Sequence, residues 1–401
     1  MNTRYQAVDN GYEITGGYEV FNRTLYGSHQ YDDLPERYFV LAGDRPLFMG
    51  AVTDWSKHTA CHYAKRGVLM SGLALTPGVK IPHFYSTDID IGSRWFHQAG
   101  DTRAVFRNGW MEYELQQFSP WFPDVRVKIK AFPLLPENGF LVQYRITTDQ
   151  RVIFCAGFGG ITGFIGRFEY PQVKERYFDK SHCVGNFVVC GNNRATVKGP
   201  NGECVHIGAS FPVKVETGDA ANLQSDPPGI FLAAPANENY PVVKMSSIIN
   251  AGETFEGFIV VIHNSDERVL DKWLKCSDPL SILKKQIHGK RAGVVINTPD
   301  EELNLTVPPT ILAMDASWHK NSFHHGAHGY HSPFLGWRNW YGPTVIGWHD
   351  RVKTTIQAHF AQLVRTADGP EMVWYDGSDR PDLDHEGTQY HHIKNSTGYL
   401  P

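Results

Sequence analysis

Residues 125–147 read VRVKIKAFPLLPENGFLVQYRIT, and this segment decides the fold class. In its first part, Val125–Phe132, apolar and cationic residues alternate, which is typical of a strand with one buried and one wet face. Turn-forming residues follow in PLLPENG, and a second apolar run begins at Phe140. The segment therefore predicts two strands joined by a turn.

Short apolar runs continue outward from this segment, from residue 11 to about residue 270, with Gly, Pro, Asn and Asp between them. One of them, Gly257–Asn264 (GFIVVIHN), is apolar enough to be buried on both faces. The other predicted strands are RVIFCAGF, NFVVCG, ATVKG, CVHIGASF, VKVET, GIFLAA and PVVKMSSII. About a dozen or more strands without a long helix predict a mainly β fold, a large antiparallel β-sandwich of the supersandwich type.

Composition narrows the function classes. The 401 residues carry a net charge of −4, with 41% hydrophobic and 20% charged residues. We therefore expect a globular protein whose electrostatic field does not attract nucleic acid or an anionic membrane. No apolar run approaches the roughly 20 residues of a membrane span. The first residues lack the apolar core of a signal peptide, yet the sequence assigns no compartment and leaves the oligomeric state open.

The six cysteines form no CxxC pair. Cys155 and Cys190 lie in strand-like apolar runs, which predicts two buried thiols. A disulfide between Cys183 and Cys190 is compatible with the sequence, but nothing in the spacing requires it.

The periodicity changes after residue 270. Residues 277–290 (SDPLSILKKQIHGK) predict a helix capped by Asp278 with Pro279 at its first position, and a short strand, GVVIN, follows. Next, Thr298 is the predicted cap and Pro299 the first residue of another helix. This start predicts a domain boundary, with a β-sandwich domain over 1–296 and a helical domain over 297–401.

Two features complicate the helical part. The Pro308–Pro309 pair predicts a kink or a break in its first helix. A second helix is predicted from about Pro343, with an apolar face. That face consists of Val345, Trp348, Val352, Ile356, Phe360 and Leu363. The polar tail, residues 369–401, is predicted to be loop.

The order of motifs in this part resembles a known family. The specific run is HHGAHGYHSPFLGWRNWYGPTVIGWHDR (324–351), preceded by MDASWH (314–319) and TPDEELN (298–304). FNRTLYGSH (21–29), GDRPLF (43–48) and ERYFDKSHCVGN (175–186) extend the resemblance over nearly the whole chain. The family is a bacterial group of glycoside hydrolase-like proteins. It pairs an N-terminal β-sandwich domain of unknown function with a six-hairpin (α/α)6 barrel.

The resemblance implies hydrolysis of glycosidic bonds in a polysaccharide or oligosaccharide, with a carbohydrate as the partner and no metal or organic cofactor. A barrel of twelve helices needs far more chain than the residues after Thr298, which suffice for the first hairpin. We therefore expect an N-terminal part of a longer enzyme, in which one catalytic carboxylate lies beyond Pro401.

Glycoside hydrolysis uses two carboxylates, and Asp350 and Asp315 are the candidates. Asp350 lies in a Trp-His-Asp-Arg run, and its structural alternative is a buried ion pair with Arg338 or Arg351. Asp315 lies near the end of a predicted helix, where the helix dipole does not favour a negative charge, so another group must hold it. A third group is better explained as a solvated acidic loop. Its members are Asp382, Asp384 and Glu386.

Aromatic and polar side chains around these carboxylates suit sugar binding, and core packing explains the rings equally well. The candidate substrate-binding residues are Trp318, His319, His325, Trp337, Arg338, Trp340, Tyr341, His349 and Arg351.

Ten of the nineteen histidines lie between His319 and His392, which raises metal binding as a rival hypothesis. The zinc pattern of two histidines four residues apart on a helix beside a glutamate is missing, so no metal site is predicted. Two alternatives to a cofactor-free glycosidase stay open. One is a non-catalytic carbohydrate-binding or structural β-sandwich module, and the other is a metal-dependent hydrolase.

Overall fold

A computed structural model of the chain describes most of residues 4–372, and the statements below concern that part. The described residues are 4–9, 11–15, 23–25, 37–42, 48–54, 62–75, 80–83, 86–90, 92–135, 137–161, 178–200, 202–223, 227–263, 266–290, 294–319, 322–323, 336–361, 363–366 and 369–372.

Strands dominate the described residues, which confirms the predicted mainly β class. In chain order the strands are β1 (Arg4–Val8), β2 (Gly11–Thr15), β3 (Arg23–Leu25), β4 (Arg37–Ala42), β5 (Phe48–Asp54), β6 (His62–Ala74), β7 (Lys80–His83), β8 (Ser86–Asp90), β9 (Ser93–Trp95), β10 (Asp101–Phe106), β11 (Met111–Gln116), β12 (Arg126–Pro133), β13 (Gly139–Thr147), β14 (Val152–Ile161), β15 (Phe187–Gly191), β16 (Arg194–Lys198), β17 (Cys204–Ala209), β18 (Lys214–Asp219), β19 (Pro241–Ile249), β20 (Thr254–His263), β21 (Trp318–His319), β22 (Ser322–Phe323), β23 (Leu363–Thr366) and β24 (Gly369–Met372).

The helices are few and lie mostly in the last third of the chain. They are α1 (Pro228–Ala233), α2 (Glu267–Leu274), α3 (Pro279–Lys290), α4 (Glu301–Ser317), α5 (Gly336–Val345) and α6 (His349–Ala361). Short 3-10 helices cover Phe96–Gln98, Lys180–Cys183 and Ala220–Asn222. In the described part of the chain, the helices all fall short of what crossing a bilayer demands in length and apolar character.

Two antiparallel sheets form the sandwich. The larger has ten strands in the order β1-β2-β10-β11-β12-β13-β20-β17-β16-β15, and the smaller runs β18-β19-β14-β6-β5-β4-β3, with β9 joined to β6. The hairpin predicted over 125–147 is present as β12 and β13, which pair from Arg126↔Thr147 to Pro133↔Phe140. The alternating residues of β12 place Val127 and Ile129 between the sheets and leave Lys128 on the wet face.

The ten-stranded sheet is covered on its outer face by α2, α3 and α4. Ile259 and Val261 of β20 belong to the core between the sheets, whereas Val260 and Ile262 belong to a second cluster under these helices. The prediction that this strand is buried on both faces is therefore confirmed. The helical residues of the second cluster are Leu270, Trp273, Leu283, Ile287 and Leu312.

Several local predictions in the sandwich are wrong. The predicted strand GIFLAA is helix α1, because Pro228 occupies its first helical position, where a missing N–H costs nothing. Cys190 is exposed, because β15 is the edge strand of the larger sheet and most of its side chains face solvent. Cys155 is buried as predicted, and Cys183 and Cys190 are both free thiols.

The start of the helical part also differs from the prediction. The α3 cap is confirmed, since the Ser281 N–H donates to Asp278 at 3.2 Å. The α4 cap is Asp300, which accepts from the Leu303 N–H at 3.1 Å. Thr298 instead hydrogen-bonds the Asn304 side chain, so Thr298 and Pro299 precede the helix.

The rest of the helical part contains four more corrections. Residues 294–297 of the predicted strand GVVIN are irregular, and Val295 is 85% exposed. The Pro308–Pro309 pair does not break α4, which continues to Ser317, so the predicted break is wrong and a kink at this pair stays a prediction. The predicted second helix is two helices, because Gly347 adopts a φ of +86° between α5 and α6. Leu363 and the first tail residues pair as the hairpin β23–β24.

Candidate active site

A buried carboxylate lies where α3, α4 and α6 meet. Asp315 is in the last turn of α4, one turn beyond the buried Ile311 and Leu312, so the same helix face carries it into the interior. Only 1% of its side chain is exposed. A carboxylate this deep requires compensating charge, because burying an unpaired charge is strongly unfavourable.

Arg351 of α6 provides the closest compensating charge. Its Nη1 donates to Asp315 Oδ1 at 2.5 Å. The guanidinium also lies against two indole rings, 5.4 Å from the Trp318 ring centre and 4.9 Å from the Trp348 ring centre. Cation–π contacts on both rings hold the guanidinium in position beside the carboxylate.

Lys290, the last residue of α3, is the second cation. Its Nζ lies 3.7 Å from Asp315 Oδ2, beyond hydrogen-bond distance. Asp315 Oδ2 is itself buried and accepts no hydrogen bond from any described residue. One oxygen of the carboxyl is therefore held by Arg351, while the other accepts no hydrogen bond within the described part of the chain.

The pKa values of the two flanking groups follow from this burial. Burial raises the pKa of Asp315 to about 6, against the opposing effect of Arg351. Burial and the nearby Arg351 lower the pKa of Lys290 to about 8. A carboxyl with a pKa near 6 can both hold and release a proton close to neutral pH, which is the property that general acid–base catalysis needs.

The structure brings together three of the residues predicted from sequence, namely Asp315, Trp318 and Arg351. The partner that Asp315 was inferred to need is thus identified. Asp350 is exposed in the first turn of α6 and is not buried in an ion pair, because Arg351 pairs with Asp315. The assignment of Asp350 as a catalytic residue stays a prediction.

The other predicted binding residues are more dispersed. His349 is exposed, and its Nε2 lies 3.3 Å from the Thr344 carbonyl oxygen. Trp340 is buried, whereas Tyr341 is 60% exposed on α5. Trp337 and Arg338 lie in α5 and His319 in β21, but their side chains are outside the described residues. So are His325 and the acidic group formed by Asp382, Asp384 and Glu386.

Sequence reasoning did not single out Lys290 as a site residue. A lysine in the last turn of a helix is ordinary, since its positive charge interacts favourably with the negative end of the helix dipole. The sequence therefore gives no separate indication that Lys290 lies beside Asp315. Among the described residues, no three His, Cys, Asp or Glu side chains are grouped as metal ligands. The histidine-rich segment 324–331 lies outside them, so metal binding stays a hypothesis.

Comparison with solved structures finds a similar architecture at low sequence identity. A bacterial glucoamylase crystallised with acarbose aligns with a TM-score of 0.52 and 10% identity, over 94% of this chain and 55% of its own. The likeness is one of fold. The chain spans only about half the length of that protein.

Two further structures align less well. A mutant of the heparan sulfate lyase HepC from Pedobacter heparinus gives a TM-score of 0.27 at 9% identity, over 58% of this chain and 37% of its own. A heparinase III gene product gives 0.25 at 7% identity, over 61% and 36%. Scores this low carry no structural argument. No protein-family model and no curated protein matches the chain.

Proposed function

We propose that this chain is part of an enzyme that hydrolyses glycosidic bonds, with Asp315 as the carboxyl that transfers a proton. The environment of the Asp315 carboxyl is the observation that carries the proposal. It is buried, its pKa is raised to about 6, and its Oδ2 has no hydrogen-bond donor among the described residues. The fold shared with a bacterial glucoamylase supports a carbohydrate as the substrate.

In this proposal the neighbouring groups have distinct tasks. Arg351 holds Oδ1 and keeps the proton on the opposite oxygen, while Trp318 and Trp348 keep the guanidinium in place. Glycoside hydrolysis needs a second carboxylate across the scissile bond. Asp350 is one candidate, and a residue in helices that complete a barrel is the other. The second option is supported by the glucoamylase, of which this chain covers 55%.

A non-catalytic carbohydrate-binding or structural module is the second candidate function. The observation that favours it is the closure of the site, because Asp315, Trp318 and Trp340 are at most 6% exposed. Buried ion pairs of this kind also occur in purely structural networks.

Affinity electrophoresis against a panel of polysaccharides, with reducing-sugar assays on the same samples, separates the two functions. We expect product from the native protein and a loss of at least about a hundredfold in Asp315→Asn. Asp350→Asn tests the candidate second carboxylate, and unchanged turnover in that variant would exclude Asp350 from catalysis. Circular dichroism checks that both variants fold. Binding without product, measured on the native full-length protein, would support the module and contradict the hydrolase proposal.

A further inference from the structure

The cluster of Asp315, Arg351 and Lys290 contains two cationic groups and one carboxyl. The side chains of Arg351 and Lys290 are each 27% exposed, whereas Asp315 is 1% exposed. Solvent therefore reaches the cluster from its cationic side. A ligand that approaches along this path meets positive charge before it meets the carboxyl.

Arg351 uses only part of its hydrogen-bonding capacity. A guanidinium has five N–H donors, and Arg351 donates from Nη1 to Asp315. Its Nε and Nη2 make no hydrogen bond to the described residues. Asp315 engages one side of the group and the two indole rings hold its plane, so the Nε–Nη2 edge is presented in a fixed orientation.

We propose that this site takes an acidic saccharide, whose carboxylate accepts two parallel hydrogen bonds from the Nε–Nη2 edge of Arg351. A guanidinium edge matches a carboxylate in this paired geometry, which a lysine ammonium cannot reproduce. The substrate class is therefore a uronic-acid-containing glycan rather than a neutral one. This inference rests on the proposed function, because it assumes that the site binds sugar.

The balance of charge supports the same class. Burial together with Arg351 disfavours the charged form of Lys290. A bound carboxylate would offset that repulsion, whereas a neutral sugar would not. Hydrogen bonds to charged groups stabilise a complex more than hydrogen bonds between neutral groups. We therefore expect the acidic sugar to bind at least about tenfold more tightly than the neutral one.

Isothermal titration of the intact chain with oligosaccharides of glucuronate and of glucose, matched in length, tests the proposal. We expect glucuronate to bind at least about tenfold more tightly, and the preference to shrink at high salt. Arg351→Lys keeps the charge but removes the planar edge, so it should abolish most of the preference. Lys353→Met, which removes an exposed charge of the same helix, should leave it intact.

The outcomes distinguish this inference from the proposed function. Equal affinity for the two sugars would overturn the acidic substrate class and leave glycoside hydrolysis standing. Failure to bind any sugar would overturn both. A preference that survives in Arg351→Lys, or that disappears in Lys353→Met, would overturn the assignment to the Arg351 edge.

Discussion

Asp315 should make the stability of the protein depend on pH in an unusual direction. Its pKa is about 6 in the folded chain, above the ordinary aspartate value of 3.8, so the folded state binds the proton more tightly than the unfolded state. The stability contributed by this group is fully present below pH 3.8. It is lost as the pH rises through 6.

The size of this effect follows from the two pKa values. They differ by about two units, and one pKa unit corresponds to about 1.4 kcal/mol, so the loss is about 3 kcal/mol between pH 3.5 and pH 7. Asp315→Asn removes the titration and keeps a side chain of nearly the same size. The stability of the native protein relative to this variant should therefore fall by about 3 kcal/mol across that range.

Urea unfolding of both proteins at several pH values between 3.5 and 7 measures this difference directly. All other titrating groups are common to the two proteins and cancel in the subtraction. Asp350→Asn serves as the control, because its exposed side chain should change stability by less than about 1 kcal/mol at each pH. Parallel stability curves for the native protein and Asp315→Asn would refute the reasoning, since they would mean that burial does not raise the pKa of Asp315.

Three further predictions concern a buried ion pair, a helix cap and a packing contact, and urea denaturation measures each. Arg351→Met should cost about 3–5 kcal/mol, because it leaves a buried carboxylate without its partner; a loss below 1 kcal/mol would contradict the pair. Asp300→Ala should cost about 1 kcal/mol at the start of α4 while Asp300→Asn costs little, since asparagine caps equally well; equal losses would exclude the cap. Gly109→Ala places a Cβ 2.6 Å from an Ile287 methyl group, whereas Gly252, also at positive φ, has open space. The free energy of unfolding should therefore fall by about 1–3 kcal/mol more in Gly109→Ala than in Gly252→Ala. Equal losses would show that Ile287 and its helix shift to accommodate the added methyl group.

The sandwich was predictable because its signal is local. In β12 the alternation of Val127, Lys128 and Ile129 encodes which face is buried, and no distant residue alters it. Cys190 shows where such reasoning stops. Its run is as apolar as that of Cys155, but β15 lies at a sheet edge, and strand order is a property of the whole chain.

The boundaries of helices were harder for a related reason. Thr298 and Asp300 are both good capping residues, and the choice depends on Asn304, whose side chain engages Thr298. Capping rules alone do not rank two such candidates two residues apart. Gly347 divides the predicted second helix, and a glycine inside an apolar pattern does not by itself distinguish a tolerated residue from a turn.

The candidate site was predictable in part. The position of Asp315 near a helix end indicated that it required a partner, and the structure identifies Arg351 and Lys290 in that role. The sequence separates these cations from Asp315 by 36 and 25 residues respectively. No short-range pattern relates groups that meet only through the packing of three helices.

The two-sided burial of β20 bears on how this protein is inherited. Val261 belongs to the sandwich core and Val260 to the cluster under the helices. One strand therefore contributes side chains to two separate hydrophobic clusters. Recombination tends to tolerate breaks at wet, sparsely connected linkers. A break that separated this sheet from its helices would expose an apolar surface on both fragments. We therefore expect the two layers to be exchanged between genes together, as a single heritable piece.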